Sequence, residues 1–277
     1  MSDQTKTTDY KELARQCRLK ILEMIWRAGT SHIASNFSII DVATVLYANL
    51  KKEDKIVWSK GWAAATIYYF LAQQGIIPKE DLDLFGKEIN GEIKYLGLVE
   101  TTTPGIYANS GSMGHGLPIA CGMALAKKLK GEPGIVYCIM SDGEMNEGTT
   151  WESAAFARHH KLDNLAVIVD RNKWQAMGKT EDVLYINLEK AFKGFGWRTF
   201  SGLSGHNYED IEKVLFYIRM HNEYEVVEEV IEKKPSVIIV ETIKGKGVSF
   251  FEDHLLYHYR HVSPEDFLKA KAELENA

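Results

Sequence analysis

The sequence predicts an α/β fold, a doubly wound parallel sheet with helices on both faces. Short apolar runs alternate with helical patterns from Gly111 onward, and the runs at Gly134–Met140, Leu165–Asp170 and Ser236–Thr242 are almost wholly apolar. Such runs are typical of parallel strands covered on both faces. The 277 residues are 45% hydrophobic and 26% charged, an ordinary globular composition. No Pro/Ser-rich linker or internal repeat divides them, so we expect a single domain, 1–277.

Residues 1–55 are expected to form an N-terminal helical part of that domain. A first helix starts near Asp9, because Leu13, Cys17, Ile21 and Ile25 recur at every fourth position. Further strands are predicted at Ile56–Ser59 and Trp197–Phe200. The remaining predicted helices are Ile39–Leu50, Ala63–Gln74, Leu117–Leu129, Thr149–His160, Asn207–Met220 and Glu223–Glu232. The segment between the first two helices, GTSHIASNF, is predicted to be irregular.

Composition excludes several classes of function. The net charge of -5, from 33 Lys+Arg and 38 Asp+Glu, provides no excess of positive charge that would attract nucleic acid. The three cysteines, Cys17, Cys121 and Cys138, show neither metal spacing nor an even count, so we expect buried thiols in a reducing compartment. The polar N-terminus and the lack of any long apolar run predict a cytoplasmic protein without a membrane span.

Polar residues follow two neighbouring predicted strands. Asp142 and Gly143 follow Gly134–Met140, and Asn172 follows Leu165–Asp170. A strand–helix–strand crossover brings both strand ends together, so Asp142 and Asn172 can converge. Carboxylate and amide oxygens suit Mg²⁺, and Gly143 permits close backbone approach of an anion. The pattern indicates a site for a metal-chelated diphosphate; on spacing alone, Asp142 as a capping residue and Asn172 as a turn residue remain the alternative.

The segment SDGEMNEGTTWESAAFARHHKLDNLAVIVDRNKWQAMGKT, residues 141–180, resembles the thiamine diphosphate motif of transketolases, a G-D-G followed downstream by Asn. Four other segments resemble the family in the same order: GTSHIASNFSIIDV, PGIYANSGSMGHGLPIACGMALA, GHNYEDI and IKGKGVSFFED. The resemblance covers nearly the whole chain. It implies the thiamine-diphosphate-binding fold of the family, with thiamine diphosphate and Mg²⁺ as cofactors.

The resemblance also implies roles for particular residues. Asp142, Asn172 and the backbone carbonyl of Trp174 match the Mg²⁺ ligands, and Gly143 matches the diphosphate contact. Gly111 and Met113 match positions beside the cofactor rings.

Two histidines and two glutamates match further family positions. His32 and His258 match histidines that face cofactor and substrate, and they are the predicted catalytic residues. Glu147 and Glu152 match an acidic pair at the interface between two such domains. Taken singly, the histidines could be loop or surface residues, and the glutamates could be solvated residues of a first helical turn.

Only the first part of a full-length transketolase resembles this chain. By this resemblance, we expect the pyrimidine-binding and C-terminal domains to be absent from this chain, and with them the carboxylate that assists cofactor deprotonation. We therefore expect one subunit of a split enzyme, inactive without a separately encoded C-terminal transketolase subunit. The expected assembly is an α2β2 heterotetramer.

Two departures from the family bear on the substrate. Where transketolases have S-K-G-H, this chain has Trp62 in place of the histidine, and Leu98 or a neighbour stands where a second histidine is expected. By resemblance, both histidines bind hydroxyl groups of the donor, so their loss changes which donors are accepted. Ser141 in place of the first Gly of the motif adds only a hydroxyl, and metal binding should survive.

The sequence thus predicts a transferase of carbohydrate metabolism that moves a two-carbon ketol unit from a ketose donor to an aldehyde acceptor. Its substrates are expected to be small sugars or sugar phosphates. Two alternatives stay open: decarboxylating acyl transfer from a pyruvate-like 2-oxo acid to a sugar-like carbonyl, and a non-catalytic scaffold subunit.

Overall fold

The computed structural model describes residues 9–223 and 232–277 of the chain. Its strands are, in chain order, β1 (Lys55–Trp58), β2 (Glu88–Ile89), β3 (Glu92–Ile93), β4 (Val136–Ser141), β5 (Leu165–Arg171), β6 (Trp174–Gln175), β7 (Gly178–Lys179), β8 (Arg198–Ser204) and β9 (Ser236–Glu241). Five of these strands form a parallel sheet in the order β1-β4-β5-β9-β8. The other four pair as two short antiparallel hairpins, β2-β3 and β6-β7.

The helices flank the sheet on both sides. They are α1 (Tyr10–Ala28), α2 (Ile33–Ala48), α3 (Ala64–Gln73), α4 (Gly116–Lys130), α5 (Gly148–His159), α6 (Thr180–Val183), α7 (Leu188–Gly194), α8 (Tyr208–Glu223), α9 (Leu256–Tyr259) and α10 (Pro264–Glu275). None of the helices in the described ranges is long and apolar enough to cross a membrane.

Alternate residues of the central strands enter two separate apolar clusters. Tyr137 and Ile139 of β4 belong to one cluster with residues of α1, α2, α3, α8 and α10, whereas Val136, Cys138 and Met140 belong to the other with residues of α4, α5 and α7. These five residues are at most 1% exposed, which explains why the run is apolar without alternation. The doubly wound parallel sheet predicted from the sequence is confirmed.

Helix α1 follows its predicted pattern closely. Asp9 caps it by accepting a hydrogen bond from the backbone N–H of Glu12 at 3.0 Å. Cys17, Ile21 and Ile25 face the core as predicted, but Leu13 is 38% exposed. Cys17, Cys121 and Cys138 are all buried free thiols.

Helix α2 begins earlier than predicted. It starts at Ile33, so most of the segment predicted to be irregular is its first turns, and it ends at Ala48. Every residue from Ile33 to Tyr47 is buried. A helix that is buried on all sides lacks the one-sided apolar stripe by which helices are recognised, and its early turns were missed for that reason.

The strand predicted at Trp197–Phe200 is β8, which runs to Ser204 with an irregular register between Phe200 and Leu203. Residues 224–231, which carry most of the predicted helix Glu223–Glu232, lie outside the described part of the chain.

Candidate functional site

Asp142 and Asn172 lie side by side at the C-terminal edge of the sheet. Ser141 pairs with Asp170 on the last rungs of β4 and β5, so the residues that follow leave the sheet together. Lys173 has a left-handed backbone with φ of 67°, and its N–H donates to Oδ2 of Asp142 at 2.7 Å. Asp142 is 2% exposed and Asn172 4%. The structure brings these two predicted ligands together.

The carboxylate of Asp142 is buried without a balancing cation in contact with it. It also accepts hydrogen bonds from the N–H of Gly143 at 3.0 Å and the hydroxyl of Thr180 at 3.1 Å. Among the residues that the structure describes, no Lys, Arg or His forms an ion pair with it. Burial, and then the charge of Asp170, raise the pKa of Asp142 to about 6. The charge of Lys60 lowers this pKa only partly, and a divalent cation would supply a positive charge in direct contact with the carboxylate.

The neighbouring atoms also suit a metal-bound anion. Asn172 Oδ1 accepts from the N–H of Trp174 at 3.0 Å, which ties the Trp174 backbone to the same turn. A Cβ on Gly143 would lie 2.9 Å from Cγ of Gln175, so glycine permits this close packing. The side-chain nitrogen of Gln175 is buried and has no hydrogen-bond partner within the described residues. It is a free donor that sequence reasoning missed.

No cluster of three or more His, Cys, Asp and Glu side chains that could hold a metal occurs in residues 9–223 and 232–277. A cation at Asp142 would therefore need amide and backbone oxygens to complete its shell. Such a set of oxygen donors is what Mg²⁺ prefers. The residues present fit the metal.

A buried polar network supports this edge of the sheet. Asp170, fully buried, forms an ion pair with Lys60 and accepts hydrogen bonds from the hydroxyls of Thr242 and Ser38. The Ser38 hydroxyl oxygen in turn accepts from Lys60 Nζ at 2.9 Å and from Asn172 Nδ2 at 3.4 Å. The network links β5 to α2 and holds Asn172 in place.

His32, Trp62 and His258 form a second cluster on this face. The rings of His32 and Trp62 stack at 4.3 Å between centroids and 18° between planes. His258 meets His32 edge-on at 5.0 Å, and its Nδ1 lies 2.6 Å from Nζ of Lys244. An ammonium group can only donate, so Nδ1 of His258 is the acceptor and Nε2 carries the proton. The structure thus joins both predicted catalytic histidines and the predicted pocket departure Trp62.

Positive charge surrounds these histidines. Burial, followed by the charges of Lys244 and Lys60, lowers the pKa of His32 to about 4. Burial, Lys244 and His32 lower the pKa of His258 to about 3, and burial with Lys60 lowers that of Lys244 to about 8. Both imidazoles are therefore neutral at neutral pH, beside a lysine that is still mostly charged.

The loop that contains Gly111 and Met113 borders the histidine cluster. The carbonyl oxygen of Gly111 accepts from Nε1 of Trp62 at 3.1 Å, and a Cβ at Gly111 would lie 3.0 Å from both Cδ atoms of Leu98. Met113 is 41% exposed on the same loop. Trp62, the first predicted departure from the family, therefore adjoins Gly111, and so does Leu98, at or next to the second.

Glu144 anchors the end of this loop, and sequence reasoning missed it. It is fully buried, and Oε1 accepts from the hydroxyl of Ser59 and from the N–H of Gly114 at 2.8 Å. The same hydroxyl oxygen accepts from the N–H of Gly116 at 3.0 Å. Lys60, Lys244 and Glu144 could have been found from the sequence. Each lies in a segment that matches the family, and Lys60 and Glu144 are close in sequence to a predicted site residue.

The acidic pair lies farther along the same turn and helix. Glu147 is half-buried at the residue before α5, where a Cβ on Gly114 would meet its side chain, and Glu152 is exposed on α5. No described hydrogen bond or ion pair connects either residue to Asp142. Their role at an interface stays a prediction.

Comparisons with known proteins agree with this geometry. The sequence model described as transketolase, thiamine diphosphate binding domain, matches residues 10–274. An apulose-4-phosphate transketolase subunit of Phocaeicola vulgatus is 32% identical over 93% of this chain and 90% of its own length. The 6-deoxy-6-sulfo-D-fructose transketolase subunit SqwG of Clostridium sp. is 34% identical over 96% of each chain.

Among solved structures, the transketolase of Campylobacter jejuni superposes with a TM-score of 0.85 at 28% identity, over 96% of this chain. This chain spans 42% of that transketolase. The family match covers nearly the whole chain, and the sheet, the Asp142–Asn172 edge and the histidine cluster are consistent with it. The chain belongs to the transketolase family and is similar to its thiamine diphosphate binding domain.

Proposed function

We propose that this chain is the thiamine-diphosphate-binding subunit of a split transketolase that moves a two-carbon ketol unit from a ketose to an aldehyde. One observation carries the proposal: Asp142, a buried carboxylate that forms no ion pair with a described residue, adjoins Asn172 at the C-terminal edge of the sheet, where His32 and His258 also meet. The metal-bound diphosphate and the substrate would thus bind at the same edge of the sheet. The relatives named as transketolase subunits support the split arrangement.

Asp142, Asn172 and the backbone carbonyl of Trp174 would hold Mg²⁺, with Gly143 at the diphosphate. The buried side-chain nitrogen of Gln175 would donate to an anionic oxygen, and Lys244 would contribute positive charge. Gly111 and Met113 would border the cofactor rings. When bound, thiamine diphosphate supplies the electron sink that lets a carbon–carbon bond beside a carbonyl break and form again.

His32 and His258 would orient the substrate and move protons. Since Lys244 donates to Nδ1 of His258, the Nε2–H of this ring, which has no partner among the described residues, can donate to a substrate oxygen. The Ser31 hydroxyl lies 2.7 Å from Nδ1 of His32 and can fix its tautomer. Neutral imidazoles can both accept and donate protons, as reversible ketol transfer requires.

The partner would be a separately encoded chain with the pyrimidine-binding and C-terminal domains. This chain would contribute a single diphosphate-binding domain, 1–277, to an α2β2 assembly, with Glu147 and Glu152 at the interface between copies. The half-buried position of Glu147, beside the loop at Gly114, is compatible with that role. The isolated chain should be inactive.

A second candidate function has its own observation. Trp62 donates its only side-chain N–H, at Nε1, to the Gly111 carbonyl, and its ring stacks on His32. Leu98 packs against Gly111. This wall of the pocket offers an apolar surface, which suits a methyl group where a ketose has a hydroxymethyl group. A pyruvate-like 2-oxo acid would then lose CO₂ and transfer its acyl group to a sugar-like carbonyl.

Release of CO₂ by the reconstituted complex distinguishes the two candidates. The complex with its partner chain, thiamine diphosphate and Mg²⁺ receives hydroxypyruvate in one reaction and pyruvate in another. Ketol transfer predicts faster CO₂ release from hydroxypyruvate. A preference for pyruvate would replace ketol transfer by acyl transfer.

A further inference from the structure

The motif GHNYEDI contains a histidine, His206, that lies outside the candidate site but is bonded at both ring nitrogens. It stands in the turn between β8 and α8, with 14% of its side chain exposed. Its Nδ1 lies 2.6 Å from Oδ2 of Asp41, a buried residue of α2. Its Nε2 lies 2.9 Å from the backbone nitrogen of Ile243.

These partners determine where the imidazole proton lies. The N–H of Ile243 can only donate, so Nε2 is the acceptor and Nδ1 carries the proton. Nδ1–H therefore donates to Asp41. Asp41 also accepts two bonds from Arg18, at 2.9 and 2.8 Å, and one from the Tyr208 hydroxyl at 3.0 Å. Burial raises the pKa of Asp41, but the charge of Arg18 and the hydrogen bonds from His206 and Arg18 outweigh burial and hold this pKa below its usual range.

The bond to Ile243 fixes the segment that carries Lys244. Neighbouring backbone groups are fixed as well: Gly245 N–H donates to the Ala34 carbonyl at 3.0 Å, and Arg18 Nε donates to the Lys246 carbonyl at 2.8 Å. Arg18 thus contacts both Asp41 and this segment. The segment, residues 242–247, is therefore held by the buried Arg18–Asp41 pair, whose carboxylate also orients His206.

Lys244 needs such support. It is 1% exposed, and its one described side-chain partner is the neutral ring of His258. Burying an ammonium group that no carboxylate contacts is costly, and the charges of Asp142 and Asp170 offset the burial only partly, so a free segment would turn this side chain out to water. The backbone bonds on either side of Lys244 oppose that movement.

We propose that His206, oriented by Asp41, is a positioning residue that keeps the ammonium group of Lys244 inside the candidate site by holding the N–H of Ile243. The use of Lys244 in cofactor or substrate binding rests on the proposed function, whereas its positioning by His206 does not. His206 itself touches neither cofactor nor substrate.

The test uses the full chain without a partner. His206→Leu removes both bonds, whereas His206→Gln can still accept from Ile243 N–H and donate to Asp41. Tyr208→Phe is the matched control, because it removes a bond to Asp41 but no described hydrogen bond to residues 242–247. The readouts are amide hydrogen exchange of residues 242–247 and the rate at which an amine-specific reagent labels Lys244, both followed by mass spectrometry.

In His206→Leu we expect both rates to rise about fivefold or more, as loss of one hydrogen bond predicts. His206→Gln should restore most of the protection, and Tyr208→Phe should match the wild type. Unchanged Lys244 labelling in a folded His206→Leu variant would overturn the proposal. So would equal increases in Tyr208→Phe and His206→Leu, because they would show general loosening.

Two further measurements keep the proposal separate from folding and from the proposed function. Nitrogen-15 NMR of the wild-type chain at neutral pH should show His206 neutral with its proton on Nδ1. The other tautomer, or an imidazolium, would overturn the assignment even if His206→Leu does not fold.

In the reconstituted complex, His206→Leu and Lys244→Met should each weaken thiamine diphosphate binding, and the double variant should bind no more weakly than Lys244→Met. Full additivity would contradict positioning, whereas normal binding by Lys244→Met would contradict only the use proposed for Lys244.

Discussion

At the scale of single residues, Asp142 and Trp62 are proposed to have two different roles in the site. Asp142 is a buried carboxylate that accepts hydrogen bonds but forms no ion pair with a described residue, an arrangement that costs stability unless a cation binds it. Trp62 is 40% exposed, and its ring covers His32. The first residue bears on cofactor binding and the second on choice of substrate, so they can be tested separately.

Asp142→Ala should abolish Mg²⁺-dependent binding of thiamine diphosphate, because it removes the one charged ligand of the proposed metal site. Calorimetric titration of the reconstituted complex with thiamine diphosphate, at fixed Mg²⁺, measures this. Asp182→Ala, an exposed aspartate on α6, is the matched control and should bind normally. Unchanged affinity in Asp142→Ala would refute the metal assignment.

Asp142 should also make stability depend on pH. Its pKa rises from 3.8 in the unfolded chain to about 6 in the folded one, so between these values the folded state alone holds the proton. The free energy of unfolding of the metal-free protein should therefore fall as pH rises from about 4 to about 6 and stay lower above that. Glu144, whose pKa burial raises to about 6, acts in the same direction.

Asp142→Asn should remove part of that fall and make the metal-free chain ~2 kcal/mol more stable at neutral pH. Urea denaturation across this pH range, with a chelator present, measures the difference. Asp182→Asn should change nothing. Wild-type stability that rises with pH through this window, with no gain in Asp142→Asn, would contradict the account of this carboxyl.

Trp62→His should restore a hydrogen-bond donor to the pocket wall. We expect the ratio of kcat/KM for hydroxypyruvate to that for pyruvate to rise about tenfold, as one good hydrogen bond to a substrate hydroxyl allows. Trp62→Phe keeps an aromatic ring without that donor and should leave the ratio near the wild-type value. Equal ratios in all three proteins would show that the side chain at position 62 does not face this hydroxyl.

At the scale of elements, helix α4 depends on a glycine at its first position. A Cβ on Gly116 would lie 2.3 Å from Cβ and 2.6 Å from Cα of Ser59. Ser59 follows β1 and also bonds to Glu144. The start of α4, the end of β1 and the turn after β4 are therefore packed too closely for any side chain at Gly116.

Gly116→Ala should destabilise the protein by about 2–3 kcal/mol, because backbone atoms must move to admit the methyl group. Gly122 lies in the same helix with open space around its Cα, and Gly122→Ala should stabilise by ~0.5–1 kcal/mol. Urea denaturation of both variants measures the contrast. Equal effects would mean that helix propensity, not packing, decides at Gly116.

The elements also show how far sequence alone can go. The strands ending near Asp142 and Asn172 were predicted because continuous apolar runs mark buried parallel strands. The start of α2 was missed because its burial leaves no periodic signal, and α10 was missed although Ser263 and Pro264 form a recognisable helix start. The Lys60–Asp170 ion pair and the Ser59–Glu144 bond join residues far apart in sequence, so only the fold could bring them together.

At the scale of the whole molecule, the C-terminal edge of the sheet brings Asp142 and Asn172 together, and His32 and His258 meet in the cluster with Trp62. The chain spans 42% of the C. jejuni transketolase and nearly all of two relatives named as transketolase subunits. The proposed function requires a second chain to complete the active site. The central claim is therefore that catalysis needs this chain, its partner, thiamine diphosphate and Mg²⁺ together.

Ketol transfer by the reconstituted complex tests that claim most directly. A ketose donor and an aldehyde acceptor are supplied, and each of the four components is left out in turn. We predict product in the full mixture and background rates in every mixture that lacks one component. A partner chain that turns over at the full rate without this subunit would contradict the account and make the chain a scaffold.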